Sequence, residues 1–309
     1  MKNWRLFYPS IIATTILIGL FLLSLLPPAL YLLIPGIAAI PFISLFIFLE
    51  KKRPFREMWN TNNGDFTADL LRTFLTLPSA LKMGEWIIPV LVYYPVLFLR
   101  DTVGFKGVSG LPVFVQLFIL LVLSEFIFYW LHRWSHENKT LWLFHAVHHG
   151  AERVYWANAG RFHFVDAFLT GLAYAVPIAL LGPTAEAITL LLLLSAISGF
   201  MEHVNVQFSA GWWNYIFNTA ELHRCHHSEE IEESNTNYGK VLVIWDLIFG
   251  THLYNTDTEE LSAGIIGNDV PNTFVGQLKY PIQNMRISEE TINTPSPHAP
   301  LDQSYTSLP

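Results

Sequence analysis

Five histidines fall within eighteen residues of this chain: His132, His136, His145, His148 and His149. His132 and His136 are four apart, so on a helix they leave one face a turn from each other. His145, His148 and His149 stand at i, i+3 and i+4, which again gathers them on one helical side. The same HxxHH spacing returns at His223, His226 and His227. Imidazole is the commonest protein nitrogen ligand and suits zinc, copper, iron and nickel. A lone histidine in an apolar helix is usually a hydrogen-bonded core residue. Eight buried together would each need a partner, and without one the arrangement is costly. Eight in three matched clusters are also more than one metal can use, so the spacing predicts a site for two ions.

The boxes HRWSH, HAVHH and HRCHH resemble the ordered HxxxH, HxxHH and HxxHH boxes of the fatty acid hydroxylase/sterol desaturase superfamily of membrane di-iron enzymes. NYGKVLVIWDLIFGTH (Asn237 to His252) resembles the NYG…WDxxFGT stretch that follows the last box there. NAGRFHFVDAF (Asn158 to Phe168) resembles the N…RxHPLE segment, with Phe164 and Val165 in place of Pro-Leu and Asp166 in place of Glu. Glu125, seven residues before His132, stands where that family often has an acid. The resemblance covers Glu125 to His252. It implies an oxygen-dependent oxidoreductase that hydroxylates or desaturates a C–H bond of a lipid such as a sterol or fatty acyl chain. It further implies two iron ions as cofactor and O2 as co-substrate. A further histidine between the second and third boxes is expected from it, and His203 is the candidate. Nine imidazoles could then divide as four and five. No flavin, nicotinamide or b-type haem motif is visible, so electrons must come from an external donor, cytochrome b5-like or ferredoxin-like. The alternative is a non-catalytic metal-binding membrane protein, a transporter or sensor, which would need polar residues along a path through its spans.

These clusters need elements to hold them, and the composition says where those elements lie. At 309 residues, 52% hydrophobic and 14% charged, the chain is too apolar for an ordinary soluble domain. A net charge of −7 with no basic stripe excludes nucleic acid as a partner. The single cysteine, Cys225, excludes an internal disulfide and lies off the face of His223, His226 and His227. The expected architecture is an all-α polytopic membrane bundle of about four spans plus a short or re-entrant helical hairpin, with a cytoplasmic histidine-rich cap.

Residues 1–56 read as an N-terminal transmembrane hairpin turned at Pro27-Pro28. Lys2 and Arg5 precede it and Lys51, Lys52, Arg53 and Arg56 follow, which places both ends in the cytoplasm. Residues 57–287 read as the catalytic domain. In it Asp65 to Leu81 is an amphipathic connector patterned as a helix until Pro78, and Trp86–Leu99 and Leu111–Leu131 are two spans. Asp166–Leu181 and Ala185–Phe200 form the short hairpin around Gly182-Pro183. Residues 288–309, rich in Pro, Ser and Thr, read as a disordered tail holding His298. The membrane itself is a bacterial inner membrane or an endoplasmic reticulum, since both give this charge pattern.

Glu125, Tyr129, His132 and His136 make one helical stripe, which turns an intramembrane acid toward the centre rather than toward lipid. About 11 Å of helix rise separates Glu125 from His132, so its expected role is a bond to a histidine on another helix. Asp166 is expected to orient a histidine tautomer and offset metal charge. His163 is expected behind a ligand or facing substrate, and Asn237 is a further supporting candidate. His252 reads as structural. Substrate is expected to enter laterally between the third and fourth spans and the second hairpin.

Overall fold

The computed structural model describes residues 4–255 and 261–293. Thirteen α-helices form there: α1 Phe7–Leu25, α2 Ile34–Lys52, α3 Phe66–Leu71, α4 Leu77–Ile88, α5 Tyr94–Val103, α6 Val113–Glu137, α7 Lys139–His149, α8 Phe164–Leu181, α9 Ala185–Glu202, α10 Ala220–His226, α11 Ile231–Ser234, α12 Ile244–Phe249 and α13 Phe274–Asn293. No strand forms among the described residues; there are isolated bridges such as Pro54 to Val206.

Among the described residues six helical stretches are long and apolar enough to cross a membrane: Phe7–Leu25, Pro28–Lys52, Trp86–Val103, Val113–Glu137, Phe164–Leu181 and Ala185–Glu202. The protein is a multi-pass helical membrane protein. α8 and α9 each gain two residues over the sequence expectation and reach eighteen. That is about 27 Å of helix, close to the thickness of a hydrocarbon core, so both count as spans.

α9 is the axis of the bundle. It is apolar all round, the pattern of a helix buried on every side. Leu193, Ile197 and Met201 pack with Tyr8, Ile11, Phe42 and Phe46 of α1 and α2. Leu190, Leu191 and Leu194 pack with Leu117, Leu120 and Phe128 of α6 and Ala173 and Tyr174 of α8. In lipid such contacts stabilise through fitted surfaces rather than through release of water. The hairpin α1–α2 is thereby seated directly on the helix whose end carries His203. Its basic ends meet the cap: Tyr8 donates its hydroxyl proton to Asn218 O at 2.6 Å, and Gln207 N donates to Arg53 O at 2.9 Å.

Two sequence expectations change. Pro78 does not end the connector helix. A π-turn at Arg72–Thr76 precedes it and places Pro78 in the first turn of α4, where its missing N–H costs nothing. A second π-turn, Pro89–Tyr93, likewise precedes Pro95 in the first turn of α5. Helical chain therefore runs from Phe66 to Val103. At the other end, α13 runs to Asn293, past the point where the tail was expected to begin. Residues 294–309, with His298, lie outside the described residues.

Candidate metal centre

α6 carries His132 and His136, α7 carries His145, His148 and His149, and α10 carries His223 and His226 with His227 just beyond it. His203 follows α9 directly. All nine rings converge, in two groups. His132, His136, His145, His149 and His226 make one; His148, His203, His223 and His227 make the other. In each, one nitrogen per ring lies within 4.8 Å of all the rest. The groups adjoin, with His149 stacked on His227 at 4.4 Å between ring centroids. The helical pitch sorts them: each i, i+4 pair stays together, while the i+3 member of each HxxHH box, His148 or His226, crosses to the other group.

The proton positions test whether a cation fits. A carbonyl or carboxylate can only accept, so the ring nitrogen bonded to it carries the proton. His132 donates from Nδ1 to Tyr238 O at 2.8 Å, and His226 from Nδ1 to Thr236 O at 2.7 Å. His145 donates from Nδ1 to Asp166 Oδ2 at 2.9 Å, and His203 from Nδ1 to Gly199 O at 2.7 Å. A neutral ring protonated at Nδ1 presents a bare lone pair at Nε2. Yet His132 Nε2 faces His226 Nε2 at 3.0 Å and His145 Nε2 at 3.1 Å. His203 Nε2 faces His223 Nε2 at 3.0 Å and His148 Nε2 at 3.3 Å. His136 Nε2 and both His149 nitrogens are buried with no hydrogen bond at all. Facing lone pairs repel each other unless a cation lies between them. Imidazole–metal bonds of about 2.1 Å would set opposite ligands about 4.2 Å apart, which these groups accommodate.

Burial disfavours the charged form of imidazole. It holds His148, His149, His223, His226 and His227 well below the usual imidazole range, with neighbouring rings adding to the effect. His203 is pushed down to about 3 by the same cause.

The NYG stretch earns its place as a bracket. Asp246 accepts from Tyr238 N at 2.7 Å and Gly239 N at 2.8 Å, and Thr251 donates its hydroxyl proton to Asp246 at 2.8 Å. Gly239 is required because a Cβ there would collide with Leu242 O. Glu125 Oε2 accepts from the next three amides, Lys240 N, Val241 N and Leu242 N, at 2.9, 3.0 and 3.3 Å. Two carboxylates thus fix five residues of loop, 238–242, so that Tyr238 O meets the His132 proton.

Glu125 is corrected by this. It bonds to no histidine; its helix rise puts it level with the loop, and it acts on His132 through the backbone of residues 238–242. His163 is corrected too. It caps α8, accepting from Val165 N at 3.2 Å, and reaches Leu278 O from Nε2 at 3.3 Å, so it belongs to neither group. Asn237, at φ 54°, bonds to Leu222 O and to both backbone groups of Leu253; it braces α10 without touching a ring. His252 bonds to Asn214 O and lies apart from both groups, as does buried Cys225.

The sequence reading missed Glu202 and Lys240. Glu202 lies 3.8 Å from His203 Nδ1 and 4.0 Å from His223 Nδ1, and it accepts from Asn218 Nδ2 at 3.0 Å. An acid ending an apolar helix beside a histidine was the available signal. It missed the role of Asp69 and Asp65 as well. Asp69 pairs with Arg161 at 3.0 Å and Asp65 with Arg153 at 2.7 Å, all buried, locking the loop that follows α7.

A chamber of about 30 Å³ faces both groups, lined by His132, His145, His148 and His223 together with Phe128, Phe162, Glu202 and Lys240. A second cavity of about 130 Å³ lies beyond it between α8 and α9. No residue of α5 or α6 lines this outer cavity, whereas the expected entry from the bilayer ran beside those helices as well.

Six apolar spans with nine converging imidazoles at one end define a multi-pass membrane protein with a histidine-box centre. Residues 117–251 match the family described as fatty acid hydroxylase. The ornithine lipid hydroxylase OlsE of Rhizobium tropici is 32% identical over 244 residues, covering 77% of this chain and 72% of that protein. Human alkylglycerol monooxygenase is 32% identical over 142 residues, 46% of this chain but only 31% of its own length. Methylsterol monooxygenase 2-2 of Arabidopsis thaliana is 28% identical over 227 residues, 67% of this chain and 78% of that one. No solved structure matches. The chain belongs to the fatty acid hydroxylase/sterol desaturase superfamily.

Proposed function

We propose that this protein is an O2-dependent lipid hydroxylase or desaturase that holds one iron ion in each imidazole group. The observation that carries the reading is the bare Nε2 lone pair of His132 facing those of His226 and His145 at 3.0 and 3.1 Å. Five ligands would come from His132, His136, His145, His149 and His226, and four from His148, His203, His223 and His227. Iron bound there supplies the activation of dioxygen that no side chain offers. In hydroxylation a C–H bond, O2, two electrons and two protons give an alcohol and water. In desaturation two adjacent C–H bonds with the same reductants give an alkene and two waters.

The chain's own residues orient and shield. Asp166 and the Tyr238 carbonyl fix the tautomers of His145 and His132, and the uncharged carboxylate-free ligand set leaves Asp166 and Glu202 to offset cationic charge nearby. Phe128 and Phe162, which stacks on His148 at 4.4 Å, exclude water from the chamber. Lipid reaches the chamber from between α8 and α9. Electrons arrive from a separate protein, cytochrome b5-like or ferredoxin-like, on the cap side. There a cavity of about 280 Å³ lined by Trp142, Ile231 and Asn235 leads to half-buried His136. The centre lies on the side of Arg5 and Lys51–Arg56, which the positive-inside tendency makes cytoplasmic. The hairpin 1–56 buttresses the catalytic part, 57–287, through α9.

The test joins iron analysis, oxygen uptake and lipid profiling. The purified full chain should hold about two irons, as nine imidazole donors suggest. Cells expressing it should contain an oxidised lipid that His148→Ala cells lack. Tight iron with no lipid-dependent oxygen uptake would instead indicate a metal-binding protein without catalysis.

A further inference from the structure

The inner chamber and the outer cavity share Ala159, Phe162, Thr170, Gly199 and Lys240 as walls, so these residues stand between them. The outer space is bounded otherwise by small and apolar residues such as Ala167, Ala196 and Phe200. The inner one adds Asp166, Glu202 and the imidazoles. Polarity therefore rises inward, and Lys240 stands at the neck.

Its stem crosses Gly199, where an added Cβ would come within 3.4 Å of Lys240 Cε and 3.9 Å of Nζ. Nζ lies 5.7 Å from the Phe128 ring centroid and 5.8 Å from that of Tyr174. Glu202, Glu125 and Asp166 are the acids whose charge reaches it. Each has one oxygen engaged elsewhere, with Asn218, the 240–242 amides and His145 respectively. Among the described residues no carboxylate forms an ion pair with Lys240 Nζ within 4.0 Å. An ammonium enclosed in protein without a bonded anion is costly. A neck built only for hydrocarbon would be better served by leucine or methionine.

We propose that Lys240 binds an anionic head group of the lipid substrate, a carboxylate or a phosphate, which enters head first from between α8 and α9. The chain then trails into the outer cavity, and the oxidised C–H bond lies close to the head group rather than at the far end of the tail. This rests on the lipid-oxidising reading above and names the substrate class for it.

The test uses the full chain in nanodiscs with three amphiphiles of equal chain length: N-hexadecanoylglycine, hexadecyl phosphate and hexadecan-1-ol. Binding is measured directly, with and without iron, and any product is fragmented to place its oxygen. At least one of the two anions should bind about tenfold more tightly than the alcohol, the scale of one charge-assisted bond; which of them does so identifies the head group. Lys240→Met should remove that preference, and Lys240→Arg should restore it. Equal binding of all three by the unsubstituted protein, a preference that survives Lys240→Met, or oxygen placed at the tail end would each overturn the proposal. The unsubstituted comparison decides the matter even if the methionine variant does not fold. Anion preference without any oxygen insertion would refute the catalytic reading and leave the binding site standing. Hydroxylation of the alcohol without anion preference would do the reverse.

Discussion

Asp166 is the only carboxylate bonded directly to a cluster ring, through His145 Nδ1 at 2.9 Å, among the described residues. Asparagine in its place can still accept through its oxygen, but it loses the charge and can turn its amide so that His145 faces a donor. Asp166→Asn is expected to weaken iron binding by about tenfold to a hundredfold, the usual cost of removing a partner behind a metal-bound histidine. Iron retention against a graded chelator reads this; unchanged retention would remove Asp166 from the centre. The convergence of the boxed histidines was legible because helical pitch turns i, i+4 spacing into a shared direction. What spacing did not show was which ring joins which group. His148 and His226 cross over because an i+3 residue leaves the helix about 100° away from its i+4 neighbour. Lys240 was illegible for a different reason: it becomes chemical only beside residues of other elements, such as Gly199 and Phe128.

The loop from Asn237 to Leu242 shows the same limit at the scale of an element. Its resemblance to a family stretch could be seen, yet nothing in one strand of letters says that Asp246 holds two of its amides and Glu125 three. Asp246→Ala should orphan the buried amides of Tyr238 and Gly239 and cost about 3 kcal/mol of stability, taking about 1–3 kcal/mol for each. Tyr238 O would then lose its fixed aim at His132, so iron content should fall along with the unfolding temperature. A thermal scan paired with metal analysis checks both. A variant that is destabilised but keeps full iron would show that the loop supports the fold and not the centre. The helix from Phe66 to Val103 was misread at Pro78 because a π-turn is set by tertiary packing, not by local preference. There Arg72 is drawn in to Gln277 Oε1 and Phe274 O, both distant in sequence.

Across the whole molecule, two kinds of cohesion divide the structure. α1, α2 and α9 are joined by apolar packing from Tyr8 and Phe46 to Ile197 and Met201, independent of any ion. The histidine-bearing parts of α6, α7 and α10 instead meet through imidazoles whose lone pairs face one another. Removing metal should therefore loosen one part and spare the other. At a free-iron concentration a hundred times Kd, bound metal would stabilise the folded state by about 2.7 kcal/mol per site. Chelation is expected to speed amide exchange in α7, in α10 and in residues 237–242 while α9 and the Tyr8–Phe46 contacts stay protected. The comparison is hydrogen exchange with mass spectrometry on the same preparation before and after chelator. Exchange that rises evenly through all six spans would mean that the ions hold the bundle itself together. Exchange that does not change anywhere would mean that the imidazoles are organised without them, and the paired-ion reading would go with it.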